Sequence, residues 1–448
     1  MTDSPFAIRG VVEGFYGVFY TAPQRDDLIR FLGRHGFNTY LYGPKNDRRH
    51  RARWRDPYPA RALRHLAHSV SVAHESGVTF AYAIAPGVSI TYASPKDFAL
   101  LTAKLFSLYE CGVRDFSLFL DDIDAEFQDP YDAERYSSYA EAHADLANRT
   151  KAWLHGLDSR NTLSLCPTDY YGSAPFSDYL QTLGKSLPTS IDVFYTGPEV
   201  CSRSISAADA AAFAAVIGRK PLVWDNYPVN DLAMQDELHL GPILGRGVDL
   251  GGSVRGLLAN PMNQPEASKI PLATLGDYLA DPNGYEPERS WLAALREVAG
   301  EDESADALRV VAENTRRSCL AASESEPLAA VTNGMVEALR QGHRLFDGAR
   351  TTATVLSAQL SALDEATYHL KFDMANLALR QDLLPWIEVL EHWLWSARRA
   401  IEVLRARELG QPVEKPLAQM RETWEAARRS PKHVGARLLE PLLEIANG

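Results

Sequence analysis

Cysteine is scarce in this chain. Cys111, Cys166, Cys201 and Cys319 lie far apart, and no pair has the spacing of metal ligands. A disulfide scaffold is not expected in a chain of 448 residues, and Cys111 and Cys166, in or beside apolar runs, read as buried thiols. Long apolar runs are also missing, so no stretch is long enough to span a bilayer. The first residues, Met1-Thr2-Asp3-Ser4-Pro5, show neither a basic region nor an apolar signal core, and the expectation is a cytoplasmic protein. Positive charge is outweighed, with a formal net charge of -12. That argues against nucleic acid or an anionic membrane as partner. Twelve histidines are present without a His-x-x-x-His or His-Glu-x-x-His arrangement. There is no Gly-x-Ser-x-Gly elbow and no Walker-type loop, and Gly10 and Gly14 do not make a dinucleotide fingerprint. No cofactor is expected.

What is present is the composition of a soluble globular protein, 46% hydrophobic and 23% charged. The chain is too long for one small core, so two domains are expected. Up to about residue 285, short apolar runs alternate with amphipathic helical patterns, the rhythm of a parallel sheet. Strands are predicted at Ala7–Glu13, Asn38–Gly43, Thr79–Ala85, Asp115–Asp121, Thr162–Pro167, Ile191–Thr196, Pro221–Asp225 and Arg255–Asn260. Helices are predicted between them, among them Pro23–His35, Arg61–Ser76, Pro95–Glu110, Tyr131–Gly156 and Ala207–Ile217. Eight β/α units in roughly 280 residues indicate an α/β fold, a TIM (β/α)8 barrel over residues 1–285. A doubly wound open sheet is the alternative.

From residue 286 to 448 no strand pattern remains, and Ala, Leu, Glu and Arg recur at helical spacing. This region reads as a bundle of five to seven helices with loops at Asp281-Pro282-Asn283-Gly284, Gly410-Gln411-Pro412 and Ser430-Pro431. Trp386, Trp393 and Trp395 read as bundle core, or alternatively as a face for a partner. The bundle also offers a surface for a homodimer.

In a barrel of this kind the active site is built where strands end. The predicted ends carry Glu13 to Gly17, Tyr42 to Asn46, Asp121-Asp122, Thr168-Asp169-Tyr170, Trp224-Asp225-Asn226-Tyr227 and Asn260. Carboxylates and amides give sugar hydroxyls directed hydrogen bonds, and aromatic faces pack on the C–H faces of the ring. Asp121 and Asp122 close the apolar run Phe116-Ser117-Leu118-Phe119-Leu120, where charge is costly unless it sits at the strand's mouth or is paired. Acid clusters bind magnesium or calcium, but Asp121, Asp122 and Asp124 lack the Gly and distal Glu of an EF-hand loop. Two-carboxylate glycosidases hold their acids about 5 Å apart or more across the bond. Adjacent acids reach that only with diverging side chains. They suit better a scheme in which the substrate's own 2-acetamido group is the nucleophile.

Arg9-Gly10-Val11-Val12-Glu13-Gly14-Phe15-Tyr16-Gly17, Asn38-Thr39-Tyr40-Leu41-Tyr42-Gly43-Pro44-Lys45, Phe119-Leu120-Asp121-Asp122-Ile123-Asp124, Cys166-Pro167-Thr168-Asp169-Tyr170 and Trp224-Asp225-Asn226-Tyr227-Pro228-Val229-Asn230-Asp231 resemble, in order, the motifs of glycoside hydrolase family 84. That family holds the β-N-acetylglucosaminidases called O-GlcNAcases, with a TIM-barrel catalytic domain. The resemblance implies that Asp121 orients and polarises the acetamido group and that Asp122 is the general acid, then base. It implies contacts to sugar hydroxyls from the Gly14 backbone and Lys45, and from Asp231 to the far hydroxyls. Asn226 and Asn260 would meet the sugar and its acetamide, with Tyr170, Trp224 and Asp225 around the acetamide. The implied substrate is a β-GlcNAc-bearing glycoconjugate or glycopeptide.

Two alternatives stay open. Asp122-Ile123-Asp124-Ala125-Glu126 also matches the Asp-x-Asp-x-Glu core of family 18 chitinases, with Glu126 as acid. A silent, lectin-like GlcNAc-binding barrel is the other. The basic run through Arg48, Arg49, Arg51 and Arg53 reads as a charged loop near the site. Asp122 is expected to have a raised pKa, because an acid catalyst must hold its proton and its neighbour is charged.

Overall fold

The computed structural model describes residues 4–124, 126–322, 325–343 and 352–448. Eight parallel strands close into a barrel in chain order. They are β1 (Ile8–Glu13), β2 (Thr39–Tyr42), β3 (Thr79–Ile84), β4 (Asp115–Phe119), β5 (Thr162–Cys166), β6 (Ile191–Tyr195), β7 (Leu222–Asp225) and β8 (Gly256–Ala259). Closure is made by β1 against β8, with Val11 opposite Ala259. The closed barrel, not the open sheet, is therefore the architecture, and all eight expected strands are present within two residues at each end.

Helices α1 (Ala22–Arg34), α2 (Ala60–Glu75), α3 (Pro95–Glu110), α4 (Pro130–Arg135), α5 (Tyr139–Leu157), α6 (Asp178–Ser186), α7 (Ala207–Ile217), α8 (Leu250–Ser253) and α9 (Pro265–Ala280) follow the strands. Their starts are written locally. Ser94, with Pro95 behind it, accepts from the Asp97 amide at the head of α3. Ser206 and Asp209 form a reciprocal capping box on α7, and Gly218 ends it at φ +71°. The single helix expected over Tyr131–Gly156 is two. Tyr136 is extended, and Ser138 caps a new helix by accepting from the Glu141 amide. The cap outcompetes the continuous helical pattern because Ser is a better N-cap than interior residue.

Side chains alternate between the barrel interior and the helical layer. Val12, Leu41, Ala81, Ala83, Phe119, Cys166, Phe194, Leu222, Trp224 and Leu258 form the interior cluster. Small residues on β3 leave room for Phe119 and Trp224, whose rings meet at 5.0 Å. Glu13 is an outward-facing polar residue at the end of β1, fully buried and held by Arg25 at 2.7 Å and the Tyr40 hydroxyl at 2.6 Å.

The chain divides into two compact units. Met1–Leu232, Ile243–Pro265 and Leu272–Pro287 make the first; Ala233–Pro242, Glu266–Pro271 and Glu288–Gly448 make the second. The second unit contains α10 (Pro287–Ala299), α11 (Asp302–Ala312), α12 (Glu326–Arg340), α13 (Thr352–Phe372), α14 (Leu377–Glu408), α15 (Glu414–Arg429) and α16 (Glu440–Asn447). Among the described residues these are seven helices after residue 286, the upper end of the expectation. Trp386 and Trp393 are buried, and the Trp386 indole donates to the Asp236 carbonyl. Trp395 is 43% exposed and is not core. No described helix is long and apolar enough to cross a membrane.

Glu13→Ala leaves the Arg25 guanidinium buried without its counter-charge. The expected result is a loss of about 3–5 kcal/mol of stability, read from the urea midpoint of unfolding. An unchanged midpoint would show that water reaches the pair.

Candidate active site

The C-terminal ends of the strands form a cavity lined by Gly14, Tyr16, Lys45, Asp121, Asp122, Cys166, Tyr170, Thr196, Val200, Cys201, Trp224, Asn226, Val229, Asp231, Leu232 and Asn260. Nine of the ten residues expected from the sequence line it. Strand alternation carries Asp121 inward, two residues past Phe119, and leaves it 5% exposed. Its Oδ2 accepts an ion-paired hydrogen bond from the Lys45 ammonium, which is itself buried. Burial pulls the Lys45 proton affinity down, but Asp121 first and Asp122 second outweigh it, so Lys45 is held charged above its ordinary range. Asp121 Oδ1 is buried and has no hydrogen-bond partner in the protein. An acceptor in that state costs free energy unless something fills the cavity and donates to it.

Asp122 is different in every respect. Its φ is +54°, in the left-handed region. This turns its side chain away from Asp121 and out to the mouth, where it is 33% exposed. Oδ2 accepts from the Tyr16 hydroxyl at 2.9 Å and Oδ1 from the Tyr170 hydroxyl at 3.1 Å, with Lys45 Nζ 3.5 Å away. Burial pushes the carboxyl up, but Lys45, the two hydroxyls and Arg51 together outweigh it. The net direction is down, so the resting side chain is a carboxylate at neutral pH. The raised pKa expected from the sequence is corrected. Sequence showed the like charge next door but not the donors that converge from other strands. Burial first, and Asp122 after it, raise the Tyr16 hydroxyl to about 12 against the opposing pull of Lys45, so it stays a donor.

Trp224 and three polar residues make the opposite wall. The Trp224 Nε1–H donates to Asn226 Oδ1 at 2.8 Å, and Asn260 Nδ2 donates to the same oxygen at 3.1 Å. Asn226 Nδ2 donates to the Val200 carbonyl. Asn260 Oδ1 accepts from the Gly14 amide at 3.2 Å, which leaves Gly14 its carbonyl to offer. A Cβ on Gly14 would sit 2.4 Å from the indole, so the indole's position requires glycine there. Asp231 Oδ2 accepts from the Tyr16 amide at 2.7 Å. Burial raises the Asp231 carboxyl, with the Tyr16 amide pulling the other way.

Asp225 is the residue not brought to the cavity. It follows Trp224 on β7 and so points to the opposite side. Both of its oxygens take the Arg246 guanidinium, at 2.7 and 2.5 Å, in a buried fork. Glu126, the acid of the family 18 reading, is exposed and does not line the cavity; Ala125 beside it lies outside the described residues. Tyr42 does not line the cavity either; its hydroxyl donates to Asp47 Oδ2 at 2.8 Å. Tyr16 contributes more than a wall, and Thr196, Val200, Cys201 and Val229 line the cavity beyond the residues expected from sequence. Apolar and small residues at strand ends carry no chemical signature until neighbouring strands place them.

A closed parallel barrel with two unlike carboxylates, amides and an indole at its C-terminal mouth has the form of a barrel glycoside hydrolase. The family model for beta-N-acetylglucosaminidase (NAGidase) matches residues 9–313, and the chain belongs to that family, glycoside hydrolase family 84. It is 38% identical over 281 residues to the Protein O-GlcNAcase of Rattus norvegicus and to that of Mus musculus. That match covers 61% of this chain and 30% of each of those relatives. An O-GlcNAc hydrolase mutant from Thermobaculum terrenum superposes with a TM-score of 0.92 at 32% identity, covering 99% of this chain and 95% of the other. CpGH84B superposes with a TM-score of 0.86 at 27% identity, covering 99% and 77%.

Asp225 and Asp231, six residues apart, separate cleanly by experiment. Asp225→Ala strips the buried Arg246 of its partner and is expected to cost about 3–5 kcal/mol of stability. Asp231→Ala is expected to leave the melting temperature nearly unchanged and to weaken sugar binding. Thermal unfolding and calorimetric titration with N-acetylglucosamine check the pair.

Proposed function

We propose that this chain is a retaining β-N-acetylglucosaminidase that removes terminal β-linked GlcNAc, with O-GlcNAc on Ser or Thr of proteins as its substrate class. The observation that carries the reading is the division of labour between adjacent acids. Asp121 is buried, paired to Lys45 and left with one acceptor oxygen open to the cavity. Asp122 is at the mouth, on hydroxyl donors.

In the reaction, Asp121 Oδ1 accepts the acetamido N–H and turns the amide oxygen toward C1. That oxygen attacks C1 while Asp122 protonates the departing glycosidic oxygen. The product is an oxazoline on the sugar, with the former amide N–H proton held at Asp121 and returned to nitrogen when the ring opens, and a free alcohol. Asp122, now a carboxylate, takes a proton from water as that water adds to C1 and opens the oxazoline, so configuration is retained. Lys45, the Gly14 backbone and Asp231 hold the ring hydroxyls. Asn226 and Asn260 meet the sugar and acetamide, and Tyr170 and Trp224 shape the acetamide pocket. No cofactor or metal enters. All these residues come from residues 1–285, the span we assign as the catalytic domain, with 286–448 as the helical domain.

A lowered Asp122 pKa in the resting site is compatible with an acid role. A sugar seated over the mouth displaces water, and desolvation moves a carboxyl up. The basic limb of the kcat profile, which reports the complex, is therefore expected at higher pH than that of kcat/KM, which reports the free enzyme. A cytoplasmic setting and a homodimer through the helical domain belong to the same reading.

Asp122→Asn is expected to lose about 100- to 10,000-fold in kcat on an alkyl or Ser-linked GlcNAc, while an aryl N-acetylglucosaminide with an activated leaving group recovers part of that loss. Asp121→Asn is expected to fail on both, because the acetamido nucleophile needs it whatever departs. Equal losses for Asp122→Asn on both substrates would remove it as the acid. Sugar binding by the native chain without turnover would make it a lectin instead.

A further inference from the structure

Arg51 lies between β2 and α2, in the basic run read from sequence as a charged loop. Its guanidinium is committed to the mouth of the site. Nη2 donates to the main-chain carbonyl of Asp122 at 2.7 Å, and Nη1 donates to the Tyr16 hydroxyl at 2.9 Å. That hydroxyl donates onward to Asp122 Oδ2 at 2.9 Å. The guanidinium also lies 5.5 Å from the centre of the Tyr16 ring. One planar fork thus reaches Asp122 twice, once at its backbone and once through a phenol.

The backbone contact has a specific task. A non-glycine residue at φ +54° is in a strained backbone conformation. It persists only where its surroundings determine it from several directions. On the carboxylate of Asp122 those directions are the Tyr16 and Tyr170 hydroxyls; on its carbonyl the bond is Arg51's. An extended or right-handed Asp122 would turn this carbonyl away from the guanidinium and the carboxylate away from both phenols together.

We propose that Arg51 is a positioning residue for Asp122: it clamps the Asp122 carbonyl to hold the left-handed backbone, and through Tyr16 it aims the carboxyl at the leaving-group oxygen. The proposal rests on Asp122 being the acid and names the residue that controls its geometry. A lysine would restore the charge but not the fork, because an ammonium cannot fix two acceptors in one plane. Around Asp122 stand Lys45 at 3.5 Å, the adjacent Asp121, the Tyr16 and Tyr170 hydroxyls, Arg51, and within electrostatic range Asp231 and Cys166. Lys45 is shared with Asp121, so Arg51 is the cation whose two bonds are both directed at Asp122 and its phenol.

The test assays the native chain, Arg51→Ala and Arg51→Lys on an activated aryl N-acetylglucosaminide and on a methyl N-acetylglucosaminide. A residue acting through the acid matters in proportion to how much protonation the leaving group needs. Arg51→Ala is expected to cut kcat on the methyl glycoside about 100-fold and on the activated one less than about 3-fold. The basic limb of kcat/KM moves up in pH, since a cation that favours the carboxylate is gone. Arg51→Lys is expected to restore the limb but not the methyl-glycoside rate. Equal losses on both substrates, with the limb unmoved, would leave Arg51 a structural residue only and overturn the proposal. Turnover by the native chain tests the proposed function separately. Should it be absent, the carbon-13 titration of the Asp122 carboxyl decides Arg51: a midpoint that rises in Arg51→Ala supports the clamp, and one that stays put rejects it.

Discussion

The ion pair between Lys45 and Asp121 is the interaction on which the mouth of this barrel depends. Two charges sit where solvent barely reaches, and burying either alone would cost several kcal/mol. Each is tolerable because the other is in hydrogen-bond contact. The pair forms only if β2 and β4, which are not neighbours in the sheet, end at the same height across the barrel mouth. The rings of Tyr16, Phe119 and Trp224, each 5.5 to 5.9 Å from the ammonium, fill the space around the cation and keep competing water out. Lys45 saturates one oxygen of Asp121 and leaves the other as the open acceptor. The barrel therefore stores an unmet hydrogen bond at its centre, and that is what gives the cavity its chemical preference for an N–H donor.

The second consequence falls on Asp122. Lys45 is close enough to favour its ionised form, and the phenols and Arg51 add to the effect. The resting site thus holds two carboxylates and one shared ammonium, with Asp231 across the mouth pushed the other way by burial. Adjacent acids avoid each other not by distance along the chain but by backbone conformation. The left-handed turn at Asp122 sends the two side chains to different environments, one dry and one at the rim. Opposite roles for neighbouring residues of the same type follow from that turn.

Much of the site could be read from the chain because its signal is local. Asp121 follows an apolar strand, Lys45 follows another, and Asn226, Asp231 and Asn260 follow two more. Asp225 looked equivalent to its neighbours because composition does not show which face of a strand a residue takes at its last position. Its neighbour Trp224 fills the barrel, so Asp225 had to face outward, where Arg246 meets it. Arg51 carried no signal in its surroundings, being one arginine among several in a basic run. The direction of the Asp122 shift is hidden in the sequence for the same reason: Tyr16, Tyr170 and Arg51 come from three other loops.

The eight β/α units, the helical character after residue 286 and the family motifs are legible in the chain, because periodicity and strand-end chemistry are properties of short segments. Tertiary structure alone decided which residues share a cavity, which carboxylate keeps an open oxygen and how each proton affinity moves. Those depend on distances between segments remote in the chain, and electrostatic and hydrogen-bond energies change steeply over a few ångströms. Barrel closure sets those distances.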